Sequence, residues 1–343
     1  MLKKIALEEA VGTELAHDIT EISENGFKGP AFKKGHRVCD EDVCKLQKLG
    51  KNNLYLIDLA DDEIHENEAA ALLAESLAGA GVVFENTPSE GRINLHAAFD
   101  GLFTVNTAAL AAFNMTDEVM CATRHTNTLV KKGDLVGGTR AIPLVMKRAP
   151  VERAGQVAAQ SGGILSVRPL QQMNAGLIIT GSEVYNGLIK DRFAPVLKEK
   201  IEALGSLVKE IIFVPDDADR IRDALTAHIA AGCDLILISG GMSVDPDDVT
   251  RKGIQMAGAR DMHYSAAVLP GAMFMSACIG SVPVLGIPAC ALHHRATVLD
   301  LVLPRILAGQ KVGKKELALM GHGGLCLNCT ECGFPDCSFG LGC

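Results

Sequence analysis

The stretch Leu235-Ile236-Leu237-Ile238-Ser239-Gly240-Gly241-Met242-Ser243 decides how the chain reads. Four consecutive apolar residues cannot form a half-buried strand, which would alternate in polarity. They suit a strand covered on both faces, as in a parallel sheet. The run stops abruptly in Ser-Gly-Gly, which marks the carboxyl end of the strand. Working outward, the same signature recurs upstream at Leu177-Ile178-Ile179-Thr180, closed by Gly181, and at Ile211-Ile212-Phe213-Val214. Downstream, further strands are expected at 263–268 and 282–285. Helical stretches are expected between them at 188–204, 216–231, 248–258 and 271–278, with a long last helix over 289–307. This alternation predicts an α/β domain over 174–310, a three-layer parallel-sheet arrangement with helices on both faces.

The flanks read differently. Residues 1–173 mix short strands and helical pieces, including a helix over 65–77, and predict an irregular α+β region. Residues 311–343 form a small Cys-rich tail. A chain of 343 residues accommodates such a division, and its 48% hydrophobic content supports a sizeable core. The formal charge of −8 argues against a nucleic-acid or anionic-membrane partner, which would favour a basic excess. No Trp and three Tyr leave little for base stacking. The uncharged stretch 265–292 is broken by Pro270, Pro283 and Pro288, so it reads as core elements rather than a membrane span. The N-terminus lacks the apolar run of a secretory signal, and the expectation is a soluble, cytoplasmic protein.

In parallel sheets the ligand crevice opens beyond the carboxyl ends of the strands. Three loops fall there: Thr180-Gly181-Ser182-Glu183, Ser239 through Thr250, and Gly286-Ile287-Pro288-Ala289-Cys290. Glycines let backbone N–H groups approach an anion, and Ser and Thr hydroxyls add donors. Glu183, Asp245, Asp247 and Asp248 are hard oxygen ligands suited to Mg²⁺ bridging phosphate oxygens. Singly, each loop is also an ordinary turn or helix cap; the combination carries the functional reading.

From 176 to 309 the chain resembles the molybdopterin-binding domain shared by molybdopterin molybdenumtransferases and molybdopterin adenylyltransferases. The resemblance rests on Ile179-Thr180-Gly181-Ser182-Glu183, Val214-Pro215-Asp216-Asp217, Asp234 through Ser243, Pro270-Gly271, Gly286-Ile287-Pro288 and Leu303-Pro304-Arg305. The opening run Glu8 through Ala16 also resembles the molybdenumtransferases. The resemblance implies molybdenum cofactor biosynthesis: Mg²⁺-dependent insertion of molybdate into adenylylated molybdopterin, with release of AMP. Thr180, Gly181, Ser182, Ser239, Gly240, Gly241, Ser243, Thr250 and Pro288 would bind the pterin and its phosphate. Glu183, Asp245, Asp247 and Asp248 would be catalytic, with Glu183 and Asp248 holding Mg²⁺. It further implies a homodimer whose partner subunit completes the site, with Lys33, Lys34, Arg37 and Arg92 as basic residues that could reach it.

Departures from the family pattern leave two other readings. Ser182 stands where the family has Asp, and Asp245-Pro246-Asp247-Asp248 replaces Gly-Asp-x-Asp. Asp248-Val249-Thr250 matches the adenylyltransferase ending, so adenylyl transfer is one alternative. The other is a non-catalytic carrier that delivers cofactor to a client molybdenum enzyme through the tail.

In that tail, Cys326-x₂-Cys329-x₂-Cys332-x₄-Cys337 suits metal ligation, either Zn²⁺ or an iron–sulfur cluster. The remaining cysteines are scattered and read as mostly buried or inert thiols. His65-Glu66 reads as a solvated helix cap. His293-His294-Arg295, just past the third loop, could meet an anion.

Overall fold

The computed structural model describes residues 2–22, 28–242 and 249–341, and these form two compact units. The second unit takes in 168–343 together with 100–104 and 125–130; the first holds the rest.

The second unit is built on one six-stranded sheet. Its elements, in order, are β1 (Asn174–Thr180), α1 (Ser182–Tyr185), α2 (Phe193–Ala203), β2 (Leu207–Val214), α3 (Ala218–Ala230), β3 (Leu235–Ser239), α4 (Thr250–Met256), β4 (Arg260–Tyr264), β5 (Met275–Ile279), β6 (Val282–Ile287), α5 (Val298–Leu307) and α6 (Lys314–Leu319). The strand order is β2-β1-β3-β6-β5-β4. The first four run parallel, with Ile178 opposite Ile212 and Ile238, and Ile238 opposite Gly286.

Two-sided burial explains the continuous apolar strands. On one face Leu177, Ile179, Leu235, Leu237, Leu285 and Ile287 pack with α2 and α5. On the other, Ile178, Ile236, Ile238 and Val284 pack with Ile221 and Leu225 of α3 and Ile254 of α4. The central strands β1 and β3 alternate between these cores, so their interior positions are apolar. The three layers expected from the sequence are present.

The sheet is not wholly parallel, however. The segment expected as a helix over 271–278 contributes β5, which pairs antiparallel with β6 across the tight turn at Gly280-Ser281. Its Ala, Met and Ser residues suit a helix locally, but Met275, Ser276 and Ala277 are all buried, and sheet packing overrides propensity. β4 then pairs antiparallel with β5 at the edge, slightly earlier in sequence than the expected strand at 263–268.

Two expected helices are also shorter. Asp191 accepts from the N–H groups of Phe193 (2.8 Å) and Ala194 (3.0 Å), so the helix expected from 188 begins at Phe193. The helix expected over 289–307 splits into a 3₁₀ turn, Ala289–Leu292, and α5. There Thr297 and Asp300 form a capping box, with Thr297 N–H donating to the Asp300 carboxylate at 2.7 Å.

The division into units falls at 167/168, not at 173/174, and the tail is not a separate body. Leu317, Met320 and Phe339 are buried in the same core as α2 and α5.

The first unit is α+β. Its four-stranded antiparallel sheet runs in the order 82–83, 92–97, 135–141, 119–123, and helices Glu66–Leu77, Thr107–Asn114 and Arg148–Ala159 accompany it. A smaller core near the N-terminus gathers Ile5, Leu7, Leu15, Ile19, Phe32, Leu46 and Leu54. His65 and Glu66 lie at the start of a helix as expected, but both are buried rather than solvated. Of the scattered cysteines, Cys121 and Cys233 are buried, and burial pushes the Cys121 thiol up to about 12. Cys39 and Cys44 are exposed.

Candidate functional site at the strand ends

The carboxyl ends of β1, β2, β3 and β6 open into a cleft of about 530 Å³. Gly181 and Glu183 line it after β1, Asp216 after β2, Gly240 and Gly241 after β3, and Ala289 and Leu292 after β6.

The glycines here are constrained. Gly240 and Gly241 both have positive φ, +87° and +57°, which L side chains rarely adopt. A Cβ on Gly240 would strike Thr180, and one on Gly241 would strike Thr250. The turn therefore keeps bare backbone at the cleft.

The hydroxyls brace the turn from behind. Thr180 Oγ1 donates to the Ser239 carbonyl at 2.8 Å, and Thr250 Oγ1 donates to the Gly240 carbonyl at 3.0 Å. The Tyr264 hydroxyl donates to the Met242 carbonyl at 2.7 Å, tying the same loop to the edge strand β4. Thr180, Ser239 and Thr250 are all buried, so they sit beneath the cleft. Among the described residues, the buried Ser239 Oγ has no hydrogen-bond partner.

Ser182 and Asp216 form a reciprocal pair. Ser182 N–H donates to the Asp216 carboxylate at 2.8 Å, and Asp216 N–H donates to Ser182 Oγ at 3.3 Å. A carboxylate thus meets the backbone at 182, although residue 182 itself carries none. Pro288 stands just before the 3₁₀ turn that closes the cleft. Ser243, Asp245, Asp247 and Asp248 lie outside the described residues.

Among the charged lining residues, Lys190, Asp191, Arg192 and Asp216 were not named as site residues from the sequence. Lys190 and Arg192 were hidden inside an expected helix, yet they belong to the connection 186–192, where their charges can face an anion. The position of Asp216, just after β2, was the available signal. Lys33, Lys34, Arg37 and Arg92 lie in the first unit. There Arg37 Nε donates to the Gly12 carbonyl, and Arg92 donates to Asn94 Oδ1. No three His, Cys, Asp or Glu side chains among the described residues come together closely enough to hold one metal ion. Three described carboxylates line the cleft: Asp191 is engaged by the N–H groups of Phe193 and Ala194, which leaves Glu183 and Asp216 as those that could contribute to an Mg²⁺ site. No helix among the described residues is long and apolar enough to cross a membrane.

Fold and cleft together define a three-layer α/β domain with a glycine-floored crevice at its strand ends. Residues 176–308 match a family model described as a probable molybdopterin binding domain. Residues 4–58 match a second family model, described as a domain of unknown function. The chain is 28% identical over 197 residues to a molybdopterin molybdenumtransferase of Haemophilus influenzae, an alignment covering 54% of this chain and 46% of the relative. It is 29% identical over 97 residues to a CinA-like protein of Citrifermentans bemidjiense, covering 28% of this chain and 23% of the relative. Less than half of either relative's own length is therefore matched. Among solved structures, the CinA protein of Thermoplasma acidophilum aligns over 40% of this chain and 98% of its own at 18% identity, with a TM-score of 0.36.

Proposed function

We propose that the cleft binds molybdopterin and that the chain inserts molybdate into adenylylated molybdopterin with release of AMP. The observation that carries this reading is the bare Gly240-Gly241 turn facing Glu183, Asp216, Lys190 and Arg192 in one cleft, on a domain matching a molybdopterin-binding family. The backbone at 181 and 240–241 would take the terminal phosphate. Lys190 and Arg192 would neutralise the remaining anionic charge. Glu183 and Asp216, with Asp245, Asp247 and Asp248 from the adjoining loop, would bind Mg²⁺ and steer molybdate. Water attacks the phosphoanhydride of the adenylylated pterin, its oxygen bonding to one phosphorus and its proton passing to solvent, and AMP leaves with its charge compensated. Such chemistry works by positioning and needs no strong nucleophile.

Single-turnover incubation of the full chain with adenylylated molybdopterin tests this. AMP release requiring both molybdate and Mg²⁺ is expected, and Glu183→Gln should reduce it at least about tenfold, the scale of losing one electrostatic contact. AMP release independent of molybdate would overturn the transferase reading. The sequence Asp248-Val249-Thr250 favours adenylyl transfer as the second reading, which requires AMP to be transferred from ATP to molybdopterin with release of pyrophosphate. Tight pterin binding with neither activity would instead identify a carrier.

A further inference from the structure

The four clustered cysteines of the tail face a single cavity. Cys326, Cys329, Cys332 and Cys337 all line a half-open cavity of about 340 Å³, whose wall also includes His293, His294 and Arg295. All four are free thiols. Cys329 and Cys332 are exposed, while Cys326 and Cys337 are partly buried and pack against the core of the α/β unit.

The shell around this space is fixed although no helix or strand forms between 320 and 341. Cys326 N–H donates to the Leu269 carbonyl at 2.8 Å, and Gly340 N–H donates to the Gly323 carbonyl at 2.9 Å. Phe334 and Phe339 stack edge to face, with centroids 6.0 Å apart. Ordering some twenty residues without regular structure costs about 1–2 kcal/mol of backbone entropy per residue, and such tails are commonly held by a metal centre.

The geometry selects the kind of centre. A structural zinc ion needs four ligands converging on one point at about 2.3 Å. Here the four thiols line a half-open space of about 340 Å³, far larger than one ion. A cluster binds its thiolates through separate iron atoms, so its ligands stand around a volume larger than one ion. The spacing agrees. Two successive x₂ intervals match the three-cysteine run of ferredoxin-type clusters, where the next cysteine serves a second cluster. In this chain Cys337 follows after four residues and turns back into the same cavity, supplying the fourth thiolate locally. We infer that Cys326, Cys329, Cys332 and Cys337 ligate one [4Fe–4S] cluster, with His293 and His294 on its wall.

The test is metal analysis of the full wild-type chain purified without oxygen, then reconstituted with ferrous iron and sulfide. About four iron and four acid-labile sulfide per chain are expected, with broad visible sulfur-to-iron charge-transfer absorption. The Cys329→Ser/Cys332→Ser double variant should lose that absorption, whereas Cys44→Ser, at an exposed thiol outside the cavity, should keep it. One zinc per chain without sulfide would overturn the inference. So would a metal-free protein, after reconstitution, in which all four thiols react at once with a thiol reagent. The wild-type measurement decides even if the double variant misfolds, and it is independent of pterin binding.

Discussion

Thr180 and Ser239, the last residues of adjacent parallel strands, are joined by a hydrogen bond from the Thr180 hydroxyl to the Ser239 carbonyl at 2.8 Å. That bond fixes the relative height of the two strand ends from which the cleft loops depart. Thr180→Val keeps the shape and removes the donor. It should lower stability by about 1–2 kcal/mol, the net worth of a buried hydrogen bond. The check is a urea midpoint shifted to lower concentration at unchanged slope.

Gly240 and Gly205 separate backbone strain from collision. Both have positive φ, +87° and +80°, but only at Gly240 would a Cβ meet a neighbour, Thr180; around Gly205 the space is open. Gly205→Ala should cost about 1 kcal/mol. Gly240→Ala should cost more, at least about 2 kcal/mol, because Thr180 is backed by the sheet. It should also abolish pterin binding, read by equilibrium titration, while Gly205→Ala leaves that binding unchanged.

Asp42 gives the first unit an acid-sensitive contact. The Cys39 N–H, the His36 ring at 2.7 Å and the Cys39 thiol hold its carboxyl down to about 2, from an ordinary 3.8. A depressed carboxylate stabilises the fold above its unfolded value, and that contribution is lost as pH falls through the folded one. Asp42→Ala should therefore be less stable than the parent at pH 7 by about 1 kcal/mol, the usual worth of a helix cap. The difference should shrink between pH 3.8 and about 2, as followed by thermal melts across that range.

Glu66 has the opposite sign. Burial raises its pKa above 4.5, against the opposing pull of Arg140 and Lys34. The folded state thus favours the protonated acid, and ionisation costs stability as pH rises through the raised value. Glu66→Gln should melt higher than the parent at pH 7.5, and the two curves should converge below pH 4.5. A variant less stable at every pH would show that its ionised carboxylate makes a net favourable contact.

The three-layer domain was legible because strands buried on both faces leave no room for polar alternation, and Leu235 through Ile238 carry that constraint alone. The strand ends were legible for the same reason, since Gly181 and Gly240 follow directly. Misread elements were those where local preference and tertiary context disagree. Met275 through Ile279 favour a helix locally and form a strand because both faces are covered. Lys190 and Arg192 were lost inside an apparent helix because the capping by Asp191 is visible only as hydrogen bonds. Asp216 was legible as a matching residue, but its pairing with Ser182 joins positions 34 apart in the chain. Likewise, the spacing of the four tail cysteines is written in the sequence, whereas their shared cavity with His293 is a matter of folding.

Loops ordinarily absorb insertions and drift at little cost, because solvent lies on one side of them. The stretch Ala289–Ala296 has no such freedom. Ala289 and Leu292 line the strand-end cleft, and His293, His294 and Ala296 line the cysteine cavity. Neighbouring residues thus belong to different chambers, and a one-residue insertion anywhere in the stretch would shift the walls of both. In a library randomised across the whole chain, this exposed-looking connection should tolerate length changes as poorly as the central strands do.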